Sequence, residues 1–149
     1  MSDQKASTRR IVVGVDGSGP SKAALQWAAR QAELAGGVVE AVTAWEYPSF
    51  YGWGPAGFDF GDNAGAVLTQ AIDEALGPDR RGEVRQVVVC GNPAAALLDA
   101  SRGAELLVVG SRGHGGFTEA LLGSVVQHVV QHAECPVVVI RGPAEATRG

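Results

Sequence analysis

The sequence predicts an α/β fold, a doubly wound five-stranded parallel sheet with helices on both faces. Short apolar runs of strand length alternate with longer segments whose apolar residues recur at helical spacing. The apolar runs are almost uninterrupted, as expected of strands that are buried on both faces of a parallel sheet. Such strands are joined by right-handed helical crossovers. A chain of 149 residues suits one domain, spanning residues 1–149.

Five apolar segments are predicted to be the strands of this sheet. They are rich in valine, whose branched side chain favours strands. The predicted bounds are Ile11 to Val15, Val38 to Trp45, Val84 to Cys90, Leu106 to Val109 and Pro136 to Arg141. Residues 1–10, before the first strand, and residues 142–149, after the last, are polar and are expected to form loose tails.

Four segments between the strands are predicted to be helices. The first follows a turn at Gly17 to Ser21 and ends at Gly36, since glycine readily adopts the left-handed conformation of helix ends. The third begins at Asn92 and Pro93, which are favoured N-cap and first-turn residues, and continues to about Gly103. The other two are predicted from Ala64 to Leu76 and from Val125 to about Ala133. The last helix is expected to turn toward the sheet Val125, Val126, Val129, Val130 and Ala133.

An aromatic insert, Glu46 to Asp62, separates the second strand from the second helix. Its glycines and prolines predict a loop. The insert follows the carboxyl end of a strand, so a lid over a ligand and a surface for a partner protein are both open interpretations. Its aromatic side chains are expected to cover the core rather than to stack on a base.

The chain is organised around a glycine-rich segment, Leu106 to Ser124. A buried strand leads into a loop with four glycines in seven residues, at positions 110, 113, 115 and 116. Glycine allows positive φ and a close approach of the backbone to a ligand. The segment therefore predicts a site for an anion such as a phosphate group, although glycine-rich turns without a ligand are the alternative.

A helix N-terminus is predicted directly after this loop. Gly123 interrupts the helical pattern, Ser124 is the expected N-cap, and Gln127 three residues later completes a capping box. The free N–H groups of a first turn and the positive end of the helix dipole both favour an anion. A phosphate group is therefore expected between this turn and the glycine-rich loop.

The spacing of these residues resembles a family signature. Gly110, Gly113, Gly123 and Ser124 match the pattern G-x2-G-x9-G-[ST] of the ATP-binding universal stress proteins, and the similarity extends over most of the chain. The resemblance implies the strand order 3-2-1-4-5. In a sheet of that order, ligands bind beyond the carboxyl ends of strands one and four.

The resemblance also implies a ligand, ATP, and roles for single residues, and it leaves open whether Mg²⁺ accompanies the nucleotide. Asp16 is assigned to the ribose hydroxyls or to a bound cation, the alternative being a carboxylate that serves the turn into the next helix. The backbone near Ala44 is assigned to the adenine edge, and the pocket walls to Val109 and Val125. The phosphate-binding residues are expected to be Gly110, Arg112, Gly113, Gly123 and Ser124.

Two rival functions remain open beside a binding protein that signals by nucleotide occupancy. One is a slow ATPase or phosphoryl-transfer enzyme, but Arg112 and His114 have no obvious base or nucleophile beside them in the sequence, so no enzyme is expected. The other is an interaction module with a vestigial nucleotide site. Neither a P-loop nor a Rossmann fingerprint is present, since Lys22 stands where the third glycine of the latter belongs.

Composition narrows the remaining function classes. The formal net charge of −4 argues against non-specific binding to nucleic acid or an anionic membrane. No apolar run approaches the roughly 20 residues of a membrane helix, and the N-terminal residues lack the apolar segment of a signal peptide, so a cytoplasmic protein is expected. Cys90 and Cys135 are expected to be buried free thiols.

Two further features carry expectations about partners and metals. The last strand has few charges and would lie at a sheet edge, which predicts a homodimer through antiparallel pairing of Val137, Val138, Val139 and Ile140. His128 and His132 are spaced i, i+4 on one helix, but the spacing of the sequence shows no third ligand. A solvated pair of histidines is therefore expected, and no metal site.

Overall fold

The computed structural model describes residues 9–46, 60–111 and 123–141. The aromatic residues at 47–53 and the loop residues Arg112, Gly113 and His114 lie outside these ranges. In chain order the elements are β1 Arg10–Gly14, α1 Gly19–Ala35, β2 Val38–Trp45, α2 Phe60–Leu76, a 3-10 helix Pro78–Glu83, β3 Val84–Cys90, α3 Pro93–Ala100, β4 Leu106–Gly110, α4 Ser124–His132 and β5 Val137–Ile140.

The strands form one parallel sheet with the order β3-β2-β1-β4-β5. This confirms the predicted fold class and the strand order that the resemblance implied. The order in which the strands are added to the sheet reverses between β1 and β4. These parallel strands are adjacent, although two strands, three α-helices and the 3-10 helix separate them in sequence. Their carboxyl ends therefore flank the crevice in which ligands of doubly wound sheets bind.

The helices divide between the two faces of the sheet, and each face has its own apolar core. Helices α1 and α2 cover one face, where Leu25 and Leu68 pack against Ile11 and Val108. Helices α3 and α4 cover the other face, where Leu97 and Val129 pack against neighbouring strand residues. Alternate residues of each strand enter opposite cores, because successive side chains of a strand point to opposite faces.

Helix α1 has a capping residue at each end. Ser18 is the N-cap, and its hydroxyl accepts a hydrogen bond from the Ser21 N–H at 3.3 Å. Gly36 ends the helix in the left-handed conformation, with φ of 71°. The start of α1 is thereby fixed directly after the carboxyl end of β1.

Several predicted boundaries are wrong. Strand β1 ends at Gly14 rather than Val15, α3 ends at Ala100 rather than near Gly103, and β5 spans Val137–Ile140 rather than Pro136 to Arg141. Helix α2 begins at Phe60 rather than at Ala64, so the last residues of the predicted insert loop are helical. Arg10 belongs to β1 rather than to a loose tail, and its guanidinium donates to the Glu40 carboxylate at 2.8 Å and to the Ala100 carbonyl at 2.6 Å. Arg10 also pairs with Val38 of β2, so β1 begins one residue earlier than predicted.

Three burial predictions also need correction. Val130 is 48% exposed, because α4 turns only Val126 and Val129 fully into the core. Cys90 is exposed on the edge strand β3, and Cys135 is only partly buried, although both are free thiols as expected. Burial raises the pKa of the Cys135 thiol, so this thiol is kept protonated.

The two outermost strands of the sheet, its edge strands, are β3 and β5. All four residues of β5 are partly exposed, as an edge strand requires. None of the helices in the described parts of the chain is both long and apolar enough to cross a membrane.

Candidate functional site

The candidate site lies where β1, β2 and β4 end. Gly14 of β1 pairs with Val42 of β2, and Val13 pairs with Val108 of β4. Continuing this register by two or three residues brings the segments around Asp16, Ala44 and Gly110 together at the edge of the sheet that is formed by the carboxyl ends of its strands. The structure thus brings together three of the residues that the sequence assigned to the site.

Asp16 is exposed and shapes the turn between β1 and α1. One of its carboxylate oxygens accepts a hydrogen bond from the Ser18 N–H at 2.9 Å, and its own N–H donates to the Ser21 hydroxyl at 3.3 Å. The alternative role as a helix-start carboxylate is therefore present in the structure. It leaves the side chain at the solvent-facing edge of the sheet, where a ligand can reach it.

Thr43 is a structural part of this edge that sequence reasoning missed. Its hydroxyl, on a side chain that is buried, donates to the Val15 carbonyl at 2.7 Å, while the Val15 N–H donates to the Val42 carbonyl at 2.9 Å. These two bonds hold the end of β1 against β2 and so fix the position of Asp16. The available signal was the polar side chain of Thr43 next to the apolar residues Val42 and Ala44 near the end of the strand.

Gly110 is needed for close packing. A Cβ at this position would lie 2.7 Å from the carbonyl carbon of Pro20 and 2.8 Å from its Cβ. The N-terminal turn of α1 therefore rests directly on the backbone of β4. The expectation that the loop glycines supply positive φ is wrong for Gly110, which is a strand residue with an ordinary φ.

The two ends of the glycine-rich loop are held together. The Ser111 N–H donates to the Ile140 carbonyl at 2.8 Å, and the Gly123 N–H donates to the Ser111 carbonyl at 2.9 Å. The signature residues Gly110, Gly123 and Ser124, which are distant in sequence, thus meet at the end of β4. Arg112 and Gly113, the other two predicted phosphate contacts, lie outside the described residues.

The N-terminus of α4 differs from the predicted capping box. Gly123 is the N-cap, with φ of −67° and ψ of 159°, and Ser124 is the first helical residue. The Gln127 N–H donates to the Gly123 carbonyl at 3.0 Å as the first bond of the helix. Gly123 has extended geometry and its N–H donates to the Ser111 carbonyl, so the helix begins one residue after it and the Ser124 hydroxyl does not serve as the cap.

This correction makes the helix end more favourable for an anion. A glycine N-cap offers no side-chain oxygen to the N–H groups of the first turn, which have no acceptor within the helix. The first turn carries no acidic residue. Among the residues that the structure describes, no acceptor meets these N–H groups, which together with the positive end of the dipole suit a phosphate group.

The predicted wall residues contribute in different ways. The side chain of Val109 is buried in the core beneath α3 and α4, so at the site this residue offers its backbone. Val125 is partly buried against the same core, and Ala44 is partly exposed at the end of β2. Val125 and Ala44 can therefore line a pocket with their side chains.

The opposite edge of the sheet, formed by the amino ends of its strands, carries a cleft but none of the predicted site residues that the structure describes. A cleft there lies between α1 and the 3-10 helix, lined by Ala29, Gly37 and Leu76 among others. Arg80, at its rim, is engaged by the carboxylates of Glu33 and Glu83. None of the predicted site residues lines this cleft. Within residues 9–46, 60–111 and 123–141, no group of three or more His, Cys, Asp or Glu side chains is placed to hold a metal ion.

Comparison with known families gives a match over most of the chain. The model of the universal stress protein family matches residues 7–141. Universal stress protein Rv2005c of Mycobacterium tuberculosis is 38% identical over 140 residues, which cover 87% of this chain and 47% of that protein. The chain therefore spans about half the length of the curated relatives it matches.

Solved structures show the same architecture. A universal stress protein in complex with cAMP is 27% identical and superposes with a TM-score of 0.67, covering 91% of this chain and 98% of the other. The universal stress protein from Archaeoglobus fulgidus in complex with dAMP is 24% identical, with a TM-score of 0.62 and coverage of 89% and 97%. At 24% identity the second similarity concerns the fold alone.

Proposed function

Because the chain belongs to the universal stress protein family, we propose that it is an adenine-nucleotide-binding signalling protein in stress responses and that its ligand is ATP. One observation carries the proposal. The carboxyl ends of β1 and β4, the backbone at Gly110 and the uncapped first turn of α4 converge on one edge of the sheet. A carboxylate for sugar hydroxyls and a backbone site for phosphate thus lie side by side.

The proposed pose follows the chemistry of that edge. The phosphates occupy the space between the α4 N-terminus and the glycine-rich loop, where N–H groups and the helix dipole meet their negative charge. The exposed carboxylate of Asp16 accepts hydrogen bonds from the ribose hydroxyls or holds a cation such as Mg²⁺. The adenine edge meets the backbone near Ala44 at the end of β2.

Two arguments support an adenine nucleotide, and a third favours the triphosphate. The signature at Gly110, Gly123 and Ser124 matches the ATP-binding pattern, and a relative at 27% identity was solved with cAMP. A triphosphate also carries the most negative charge, so it gains most from a helix N-terminus without acidic residues. Mono- and cyclic phosphates engage the same groups with less charge.

We further propose that occupancy of the site, rather than turnover, carries the signal. Rapid hydrolysis needs a positioned base or a metal-bound water, in addition to phosphate binding. An assay of phosphate release with ATP distinguishes binding without turnover from the slow ATPase and phosphoryl-transfer alternatives.

The location of the site can be tested by amide chemical-shift mapping. Saturating the ¹⁵N-labelled full chain with ATP is expected to shift the amide signals of Asp16, Ala44, Ser111 and Ser124, because these residues surround the proposed ligand. Arg80 and Val84, at the opposite edge, serve as internal controls and are expected to keep their positions. Shifts confined to that opposite edge would overturn the proposed site.

A dimer through β5 is part of the same proposal. The strand is a sheet edge with an apolar sequence and partly exposed residues, and the outward N–H and C=O groups of an edge strand suit antiparallel pairing with a second copy. Sedimentation at micromolar concentration is expected to show a dimer in which Val138→Lys and Val139→Lys substitutions favour the monomer. A wild-type monomer at that concentration would contradict the proposal.

A further inference from the structure

Helix α4 carries two histidines on one exposed face. His128 and His132 are spaced i, i+4, and both side chains are exposed. Val126 and Val129, on the other side of the helix, are buried at 4% and 0% relative exposure. The helix is therefore fixed on the sheet, and the histidine face points away from the core.

The two imidazole rings lie at a distance that suits a shared metal ion. Their centroids are 4.5 Å apart and their planes are tilted by 38°. An ion at about 2.0–2.1 Å from one nitrogen of each ring lies about 3.2 Å from each centroid. Two such rings meeting at about 90–110° have centroids about 4.5–5.2 Å apart, so the observed separation falls within the range of a chelating pair.

We propose that His128 and His132 form a two-histidine site for a borderline divalent transition-metal ion, of the class that includes Ni²⁺, Cu²⁺ and Zn²⁺. Imidazole nitrogen suits these ions. His132 is the last helical residue, so the negative end of the helix dipole also favours a cation there. Among the residues that the structure describes, no third His, Cys, Asp or Glu ligand accompanies the pair, and the proposed site consists of the two histidines with water as the other ligands.

This site is separate from the proposed nucleotide site. His128 and His132 lie about 6 Å and 12 Å along the helix axis from Ser124, at 1.5 Å per residue. A cation held by ATP phosphates would sit at the N-terminal end of α4, whereas this ion sits toward its C-terminal end. Metal binding at the histidines is therefore expected without nucleotide.

The test is a calorimetric titration of the untagged full chain with Ni²⁺, in the absence of nucleotide. The chain carries Cys90→Ser, since Cys90 is an exposed thiol that would itself bind metal. One equivalent of Ni²⁺ is expected to bind, and thermal unfolding is expected to move to higher temperature with added metal, because the folded helix holds both ligands in place.

Matched variants separate chelation from the mere number of histidines. His128→Ala and His132→Ala are each expected to weaken Ni²⁺ binding by about tenfold to a hundredfold, because the second ligand no longer binds intramolecularly. Alanine is the best helix former, so both variants should fold. The double variant His132→Gln with Val130→His keeps two histidines on α4 but places them at i, i+2, where they do not face each other.

The proposal predicts that this double variant binds as weakly as the single ones. It is overturned if the double variant binds Ni²⁺ as tightly as the parent chain, if both alanine variants keep the parent affinity, or if the parent chain shows no binding at millimolar Ni²⁺.

Discussion

Replacing Gly110 with alanine is expected to destabilise the protein by about 1–3 kcal/mol, the usual cost of overpacking a buried site. The added Cβ would lie 2.7 Å from the carbonyl carbon of Pro20 and 2.9 Å from its oxygen. These are backbone atoms, so the N-terminal turn of α1 must move away from β4. Urea unfolding of the variant and of the wild type measures the loss.

Two other glycines provide controls for this prediction. A Cβ at Gly19 meets nothing within 4 Å, so Gly19→Ala is expected to change stability by less than about 0.5 kcal/mol. A Cβ at Gly37 would overlap the Arg9 carbonyl oxygen, far from the site, so Gly37→Ala should destabilise without weakening ATP binding in the folded protein. Unfolding of Gly110→Ala at the wild-type urea midpoint would show that α1 does not rest on β4 in this way.

Replacing Gly123 with aspartate is expected to raise stability and weaken ATP binding at the same time. The backbone at Gly123 already has the extended geometry of an N-cap residue, so an aspartate adopts it without backbone strain. Its carboxylate would cap the N–H groups of the first turn and interact with the dipole, together stabilising by about 0.3–1 kcal/mol. The same carboxylate occupies and repels the proposed phosphate position.

Gly123→Asn is the matched control, because asparagine caps the helix equally well without the negative charge. We expect aspartate to lower ATP affinity by on the order of 100-fold, about 2.7 kcal/mol, and asparagine to lower it less. Calorimetric titration with ATP and thermal unfolding measure the two effects. Equal ATP affinity in the wild type and in Gly123→Asp would place the phosphates elsewhere.

The fold was largely predictable because its signals are local. The five apolar runs and the helical spacing between them gave the elements, and Asn92 with the following proline marked a helix start. The order of the strands was not a local signal. Alternation of strands and helices is compatible with several orders, and only the family resemblance supplied the correct one.

The details of the candidate site were less predictable because tertiary contacts determine them. The N-cap of α4 is Gly123 rather than the predicted Ser124, and the Gly123 N–H donates to the carbonyl of Ser111 at the far end of the loop. Gly110 was predicted to be a loop glycine, but a glycine is needed there because the backbone of Pro20 in α1 packs directly on it. Neither contact leaves a trace in residue spacing.

Exposure at the edges of the fold was also beyond local periodicity. Cys90 has apolar neighbours in sequence, yet it lies on the edge strand β3 and is exposed. Val130 follows a helical apolar pattern, yet the narrow contact between α4 and the sheet leaves it 48% exposed. Periodicity shows which residues share a face, but it does not show how far the neighbouring element extends over that face.

The measurement that most directly tests the central claim is a calorimetric titration of nucleotide-free wild-type protein with ATP, ADP, AMP and cAMP. The proposed site predicts that all four compete for one site and that ATP binds most tightly, because its triphosphate gains most from the first turn of α4. If none of the four nucleotides binds, the site is vestigial, and the chain acts as an interaction module instead.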